Sequence, residues 1–281
     1  MAKLVAVLAL VALAGGCGGG TPRRSGAIVA SRLADGLALY RMNADGSGMK
    51  RLSPPNASDS QPAWSPDGRT ITFVRETIYG PRLCAMDATS GRVHVLHALG
   101  DAFANPSWSP SGDHIAYAAI DAIAILDIHT RTVARISHGY DAHPSWSPDG
   151  KEIAFEHDAS GNGDTSVWVM RADGTRRRRV SHPHGSEADH EPAWSPDGKR
   201  IAFHRDYDLW RVDVRSGSER RIARFADYPS WSPDGRRILV EEVRRPSAKS
   251  GLYIVDLKTG RSKLVVRGFW TESTWQPLSA S

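Results

Sequence analysis

The sequence predicts an all-β fold: a six-bladed β-propeller with four antiparallel strands per blade, closed by a blade shared between the N- and C-terminal segments. Three observations predict it. Trp-Ser-Pro-Asp-Gly recurs at Trp64 to Gly68, Trp146 to Gly150, Trp194 to Gly198 and Trp231 to Gly235, with a variant at Trp108 to Gly112 and a degraded copy at Thr274 to Pro277. Successive repeat Trp are 44, 38, 48, 37 and 44 residues apart, the length of one four-stranded blade. Between them lie short β-branched and aromatic runs bounded by Pro-Asp-Gly and Asp-Gly turns, with no sustained 3.6-residue period.

Each element has a local reason. The first strand of a unit ends in the Trp, and a Pro stands two residues before it at Pro62, Pro106, Pro144, Pro192 and Pro229. In the turn that follows, Pro fixes φ, Asp bonds to nearby backbone and Gly accepts positive φ. Second strands are apolar: Ile71 to Val74, Ile115 to Ala118, Ile153 to Glu156, Ile201 to His204 and Ile238 to Glu241. Third strands alternate and end in an acid or turn: Leu83 to Asp87, Ile123 to Asp127, Val167 to Arg171, Leu209 to Asp213 and Leu252 to Asp256. Fourth strands are brief, as at Val95-Leu96 and Arg221-Ile222. The sixth unit is split: Thr274 to Leu278 supplies its first strand, and Ile28 to Ala30, Leu37 to Met42 and Arg51-Leu52 supply the others. Joining both chain ends in one blade removes two open edges. The repeated Trp are expected to pack between blades.

Residues 26–278 are thus read as one propeller, residues 1–17 as a lipoprotein signal peptide and residues 18–25 as a flexible tether. Lys3 precedes an apolar run, Leu4 to Ala14, too short for a permanent membrane span. Ala14-Gly15-Gly16-Cys17 resembles a lipobox, although Leu is commoner than Ala at its first position. Cys17 would then be lipidated, giving an exported, membrane-anchored lipoprotein on the periplasmic or cell-surface side. Two Cys exclude a disulfide framework, and Cys84 reads as a buried small hydrophobe. The net charge of +5 comes from interspersed charges with one basic block, Arg176 to Arg179, so no nucleic-acid partner is expected.

Pro-x-Trp-Ser-Pro-Asp-Gly-(Lys/Arg)-x-Ile-Ala-Phe, followed by a strand and Asp-x-x-x-Gly, resembles the WD40-like (PD40) repeat of the TolB-like propellers. The resemblance covers Gly26 to Pro277. It implies a non-catalytic protein- or peptide-binding module of the cell envelope, a monomer without cofactor or metal. Two departures from TolB stand out: no room for its preceding α/β domain, and a lipobox. Related propellers precede the catalytic domain of prolyl-oligopeptidase-type peptidases, but no Gly-x-Ser-x-Gly occurs here. The alternative is a metal-assisted, carbohydrate-active enzyme similar to the oligogalacturonate lyases, which would need a convergent His/Gln/Glu set.

Candidate site residues come from the loop face, where strands two and three and successive blades are joined. The residue three before each repeat Trp enters the innermost strand from that face. Gln61, Asn105, His143, Glu191, Tyr228 and Glu272 are therefore expected to ring one mouth of the channel. Convergent acceptors with one titratable His suit an amino terminus or a basic side chain. His138, His143, His182, His184 and His190, with Asp141, Asp189 and Glu191, form a second group of potential ligands in two consecutive loops, without a recognised zinc spacing. Asp158 to Asp164 imitates the start of an EF-hand, but Val169 replaces the bidentate Glu, so a hairpin loop is expected.

Overall fold

A computed structural model describes residues 26–33, 36–100, 104–159, 161–185, 187–242 and 250–277. The signal peptide, Cys17, the tether and Leu278 lie outside the described residues. The described chain forms six four-stranded antiparallel sheets and no helix. The shared blade 6 holds β1 (Ile28–Leu33), β2 (Leu37–Met42) and β3 (Lys50–Arg51). Blade 1 is β4 (Ser58–Trp64), β5 (Thr70–Glu76), β6 (Arg82–Asp87) and β7 (Val93–Ala98). Blade 2 is β8 (Ala104–Trp108), β9 (His114–Ala119), β10 (Ala122–Asp127) and β11 (Val133–Arg135). Blade 3 is β12 (Tyr140–Trp146), β13 (Glu152–Asp158), β14 (Thr165–Arg171) and β15 (Arg178–Arg179). Blade 4 is β16 (Asp189–Trp194), β17 (Arg200–Arg205), β18 (Asp208–Asp213) and β19 (Glu219–Arg224). Blade 5 is β20 (Asp227–Trp231), β21 (Arg237–Glu242), β22 (Gly251–Asp256) and β23 (Ser262–Arg267). The last strand, β24 (Trp270–Trp275), pairs with β1 in the register Ile28↔Trp275 and completes blade 6.

Each Trp-Ser-Pro-Asp-Gly segment closes a β-turn in which the Ser does more than fill space. At the first copy Gly68 N–H donates to Ser65 O at 2.9 Å, Ser65 Oγ donates to Asp67 Oδ1 at 2.6 Å, and Ser65 Oγ accepts from Thr70 N–H at 2.9 Å. Gly68 has φ 67°, which a residue with a Cβ adopts only at a cost. The same Ser-Asp bond recurs at Ser147, Ser195 and Ser232.

The core lies between blades, and one repeat Trp anchors each interface. Trp64 packs with Val29 and Leu39 of blade 6, Trp108 with Val74 and Leu83 of blade 1, and Trp146 with Ala118 and Ile123 of blade 2. Trp194 meets Val167 and Val169, Trp231 meets Ala202 and Leu209, and Trp275 meets Leu239 and Leu252. Phe73, Phe155 and Phe203 are fully buried on the second strands. Cys84 is buried in the blade 6–blade 1 cluster.

Candidate channel-mouth site

The first strands of all six blades line one axial channel of about 380 Å³. Gln61, Asn105, His143, Glu191, Tyr228 and Glu272 all lie on its wall. A shared backbone device turns them there. Every first strand carries a bulge at this point, where its pairing with the second strand slips. All six residues have left-handed backbones, with φ of 55°, 49°, 47°, 56°, 50° and 54° in chain order. Such a conformation costs non-glycine residues on the order of 1 kcal/mol each.

The ring is linked from blade to blade. Gln61 N–H donates to Glu272 Oε2 at 2.8 Å, Asn105 N–H to Gln61 Oε1 at 3.0 Å, and Tyr228 N–H to Glu191 Oε2 at 2.9 Å. Glu191 N–H instead reaches Glu156, a residue of β13. A second tier therefore backs the ring, at the fourth residue of the apolar run in each second strand. At that position blades 6, 1 and 2 carry Ser31, Val74 and Ala118, and blades 3, 4 and 5 carry Glu156, His204 and Glu241.

Charge is confined to blades 3 to 6. His143 Nδ1 lies 2.7 Å from Glu156 Oε1, and His190 Nδ1 lies 3.2 Å from Glu156 Oε2. Burial disfavours the charge on His143, but Glu156, Glu191 and Glu272 outweigh it and lift the imidazole to about 9. Burial likewise opposes ionisation of Glu156, yet the two imidazoles hold its carboxyl well below the ordinary range. His204 Nδ1 sits 3.1 Å from Glu191 Oε2, which raises its pKa against burial. Asp227, Glu241 and Glu272 are all raised, by burial first; neighbouring carboxylates add to each.

The loop histidines do not gather as the sequence suggests. His143 lines the channel and His190 meets it through Glu156, while His138, His182 and His184 are exposed. Asp141 instead binds His157 at 2.7 Å and Arg177 at 3.0 Å, and Asp189 pairs with Arg205. Asp158 accepts from Gly161 and Gly163 N–H within its own loop, at 2.8 Å and 2.7 Å. Among the described residues no group of three or more His, Cys, Asp or Glu is arranged to hold a metal ion. Sequence reasoning missed Glu156, His204, Asp227 and Glu241. For Glu156, His204 and Glu241 the usable signal was an ionisable residue closing an otherwise apolar run; Asp227, at the start of β20, carries no such signal.

Among the described residues, eight of the eleven exposed large hydrophobics, Leu33, Ile78, Tyr79, Ile120, Tyr140, Tyr207, Phe225 and Phe269, sit at loop-face ends of strands or in the loops between them. Tyr207 and Phe225 hold φ of 69° and 56°, and Ala226 N–H donates to Tyr207 O at 2.8 Å, so blade 4 displays two aromatics on strained backbone.

No curated protein sequence matches the chain. Among solved structures, TolB from Acinetobacter baumannii is similar at 25% identity and TM-score 0.82, over 91% of this chain and 68% of that one. A putative TolB from Agrobacterium tumefaciens is similar at 20% identity and TM-score 0.71, over 88% and 91%. An oligogalacturonate lyase in complex with manganese shares the fold at 17% identity and TM-score 0.63, over 87% and 75%. The model of the TolB β-propeller (PD40) domain matches residues 21–124 and 120–280, and with six blades of this repeat the chain belongs to the TolB β-propeller family.

Proposed function

We propose that the chain is an exported, lipid-anchored, non-catalytic module of the cell envelope that binds a protein or peptide on its loop face, over the channel mouth. The observation that carries this reading is the loop face: eight of the eleven exposed large hydrophobics among the described residues gather at the one face that opens onto the polar ring. Exposed apolar residues concentrated on one face and rimming polar groups mark interaction surfaces. Six ring residues held at positive φ, where Gly would be unstrained, also support a role for their side chains. Family membership points the same way, since the resemblance to the TolB-like propellers implies an envelope module.

Photo-crosslinkers at Tyr79, Tyr207 and Phe225, compared with Met49 on the opposite face, test the reading in envelope fractions. The expected result is one protein crosslinked from the first three positions and not from Met49. Equal yields from both faces would overturn it. Turnover of oligogalacturonate in the presence of Mn²⁺ would restore the lyase reading.

A further inference from the structure

Six outer strands, β3, β7, β11, β15, β19 and β23, are the free edges of their sheets. A free edge offers unpaired N–H and C=O groups to another strand, and Lys or Arg on it discourages that pairing. Five of the six carry Lys or Arg. Only β7, Val-His-Val-Leu-His-Ala, has no charged residue. It stands between outer strands of two and three residues in blades 6 and 2. Its Val95 is 58% exposed, one of three exposed large hydrophobics away from the loop face. Alternate residues of an antiparallel pair bond inward. Asp87 N–H donates to Arg92 O at 2.9 Å, so Val93 and Val95 turn their backbone groups away from β6. At Leu96 the register slips, and Arg131 of blade 2 donates to Leu96 O at 3.2 Å. That contact closes the far end and leaves Val93 to Val95 open.

We propose that β7 is a self-pairing edge, through which two copies of this chain associate about a two-fold axis at His94 and join their blade 1 sheets into one antiparallel sheet. In that register Val93 of each copy stands opposite Val95 of the other. These are the residues whose backbone groups are open, so N–H and C=O are satisfied on both sides. The valines also gain β-branched cross-strand neighbours. Charge selects this edge over the others of its length. The other two six-residue outer strands, β19 and β23, slip register at the same point, and there the residues matching His94 are Arg220 and Lys263. The same two-fold would set each of these against its own copy, a destabilising arrangement. The nearest charge on β7 is Arg92, which would lie ~13 Å from its counterpart along the strands. That exceeds the ~8 Å over which exposed charges act at physiological salt. So short a pairing buries less than about 1,000 Å², which places it among weak, reversible contacts. It departs from the monomer that the family resemblance implies. It lies on the perimeter, leaves the loop face uncovered and does not depend on what binds there.

Sedimentation velocity of the full chain carrying Cys17→Ser, which cannot be lipidated there, tests the pairing over a concentration series. With the native edge, monomer should give way to dimer at concentrations on the order of 0.1 mM, as for other small contacts. His94→Lys and His94→Glu each set like charges across the two-fold and should each weaken the dimer by about tenfold or more. The melting temperature should hold in both, since His94 is exposed. Mixed in equal amounts, the two variants place Lys opposite Glu and should recover association as a heterodimer. Val133→Lys, on the edge of blade 2, should associate like the native chain. The self-pairing edge is overturned if the native edge stays monomeric throughout the series or if the mixture associates no better than either variant alone. Association that survives both His94 variants belongs to another surface and overturns it equally.

Discussion

Ser195 and its counterparts Ser65, Ser109, Ser147 and Ser232 are buried at the base of the repeated turns. Ser195 Oγ accepts from Arg200 N–H at 2.9 Å and donates to Asp197 at 2.6 Å, so one hydroxyl fixes both ends of the turn. Ser195→Ala leaves that N–H without its acceptor and should cost about 1–3 kcal/mol in urea unfolding; a negligible change would show the hydroxyl to be dispensable. His143 sets a different expectation. Its folded pKa of about 9 exceeds the ordinary 6.5, so its stabilisation is complete below about 6.5 and is lost as pH rises through 9. The raised carboxyls of Asp227, Glu241 and Glu272 act in the same direction: their stabilisation is present in acid and lost as pH rises through their folded values. Glu156 is depressed, so its stabilisation holds above the carboxylate range and fails only in strong acid. The melting temperature should therefore fall between about pH 6.5 and 9, and fall less in His143→Gln. Parallel curves for the two proteins would remove His143 as a cause.

At the scale of elements, β24 carries the closure. It gives blade 6 its innermost strand, and Trp275, 5% exposed, packs against Leu239 and Leu252 of blade 5 as well as Ile28 and Met42 of its own blade. Deleting residues 270 to 281 uncovers the β1 edge and the blade 5 face together. The truncated chain should lose cooperative unfolding and aggregate; a soluble truncation with the wild-type melting temperature would refute the role of the shared blade. Blade count, strand order and this closure are legible in the sequence because turn chemistry is local: Pro-Asp-Gly specifies a reversal wherever it occurs. The ring is legible for a related reason, as a fixed offset from the Trp keeps its meaning when the same bulge recurs in every blade. The loop histidines mislead because closeness along the chain is not closeness in space. The bulge at His143 turns it into the channel, while Asp141, two residues earlier, is held by His157 and Arg177. Glu156 and Glu241 escape notice because an acid ending an apolar run looks like a strand end meeting water, and both are buried.

For the whole molecule, charge and direction are organised together. The chain carries a net +5, yet the described residues lining its mouth include two acids, Glu191 and Glu272, and no Lys or Arg. The positive charge lies instead on outermost strands, as at Lys50 and Arg51 on β3 and Arg220 and Arg221 on β19, where exposed basic residues discourage edge-to-edge pairing. The start of the described chain lies on the face opposite the ring: Gln276 N–H donates to Ala27 O at 2.7 Å, and Gln276 Nε2 donates to Gly68 O of a Pro-Asp-Gly turn at 2.9 Å. On the proposed anchoring at Cys17, the described chain begins on the face opposite the ring and the exposed hydrophobics, which leaves the loop face free for a partner. Orientation and anchoring thus make one joint prediction. Cys17→Ser should move the protein from membranes to the soluble exported fraction, with its melting temperature and its loop-face crosslinks unchanged, because neither the propeller nor the mouth depends on the anchor. Recovery of the variant in membranes at the wild-type level would show that Cys17 does not hold it there, and loss of the loop-face crosslinks on release would show that the partner is met only at the membrane surface.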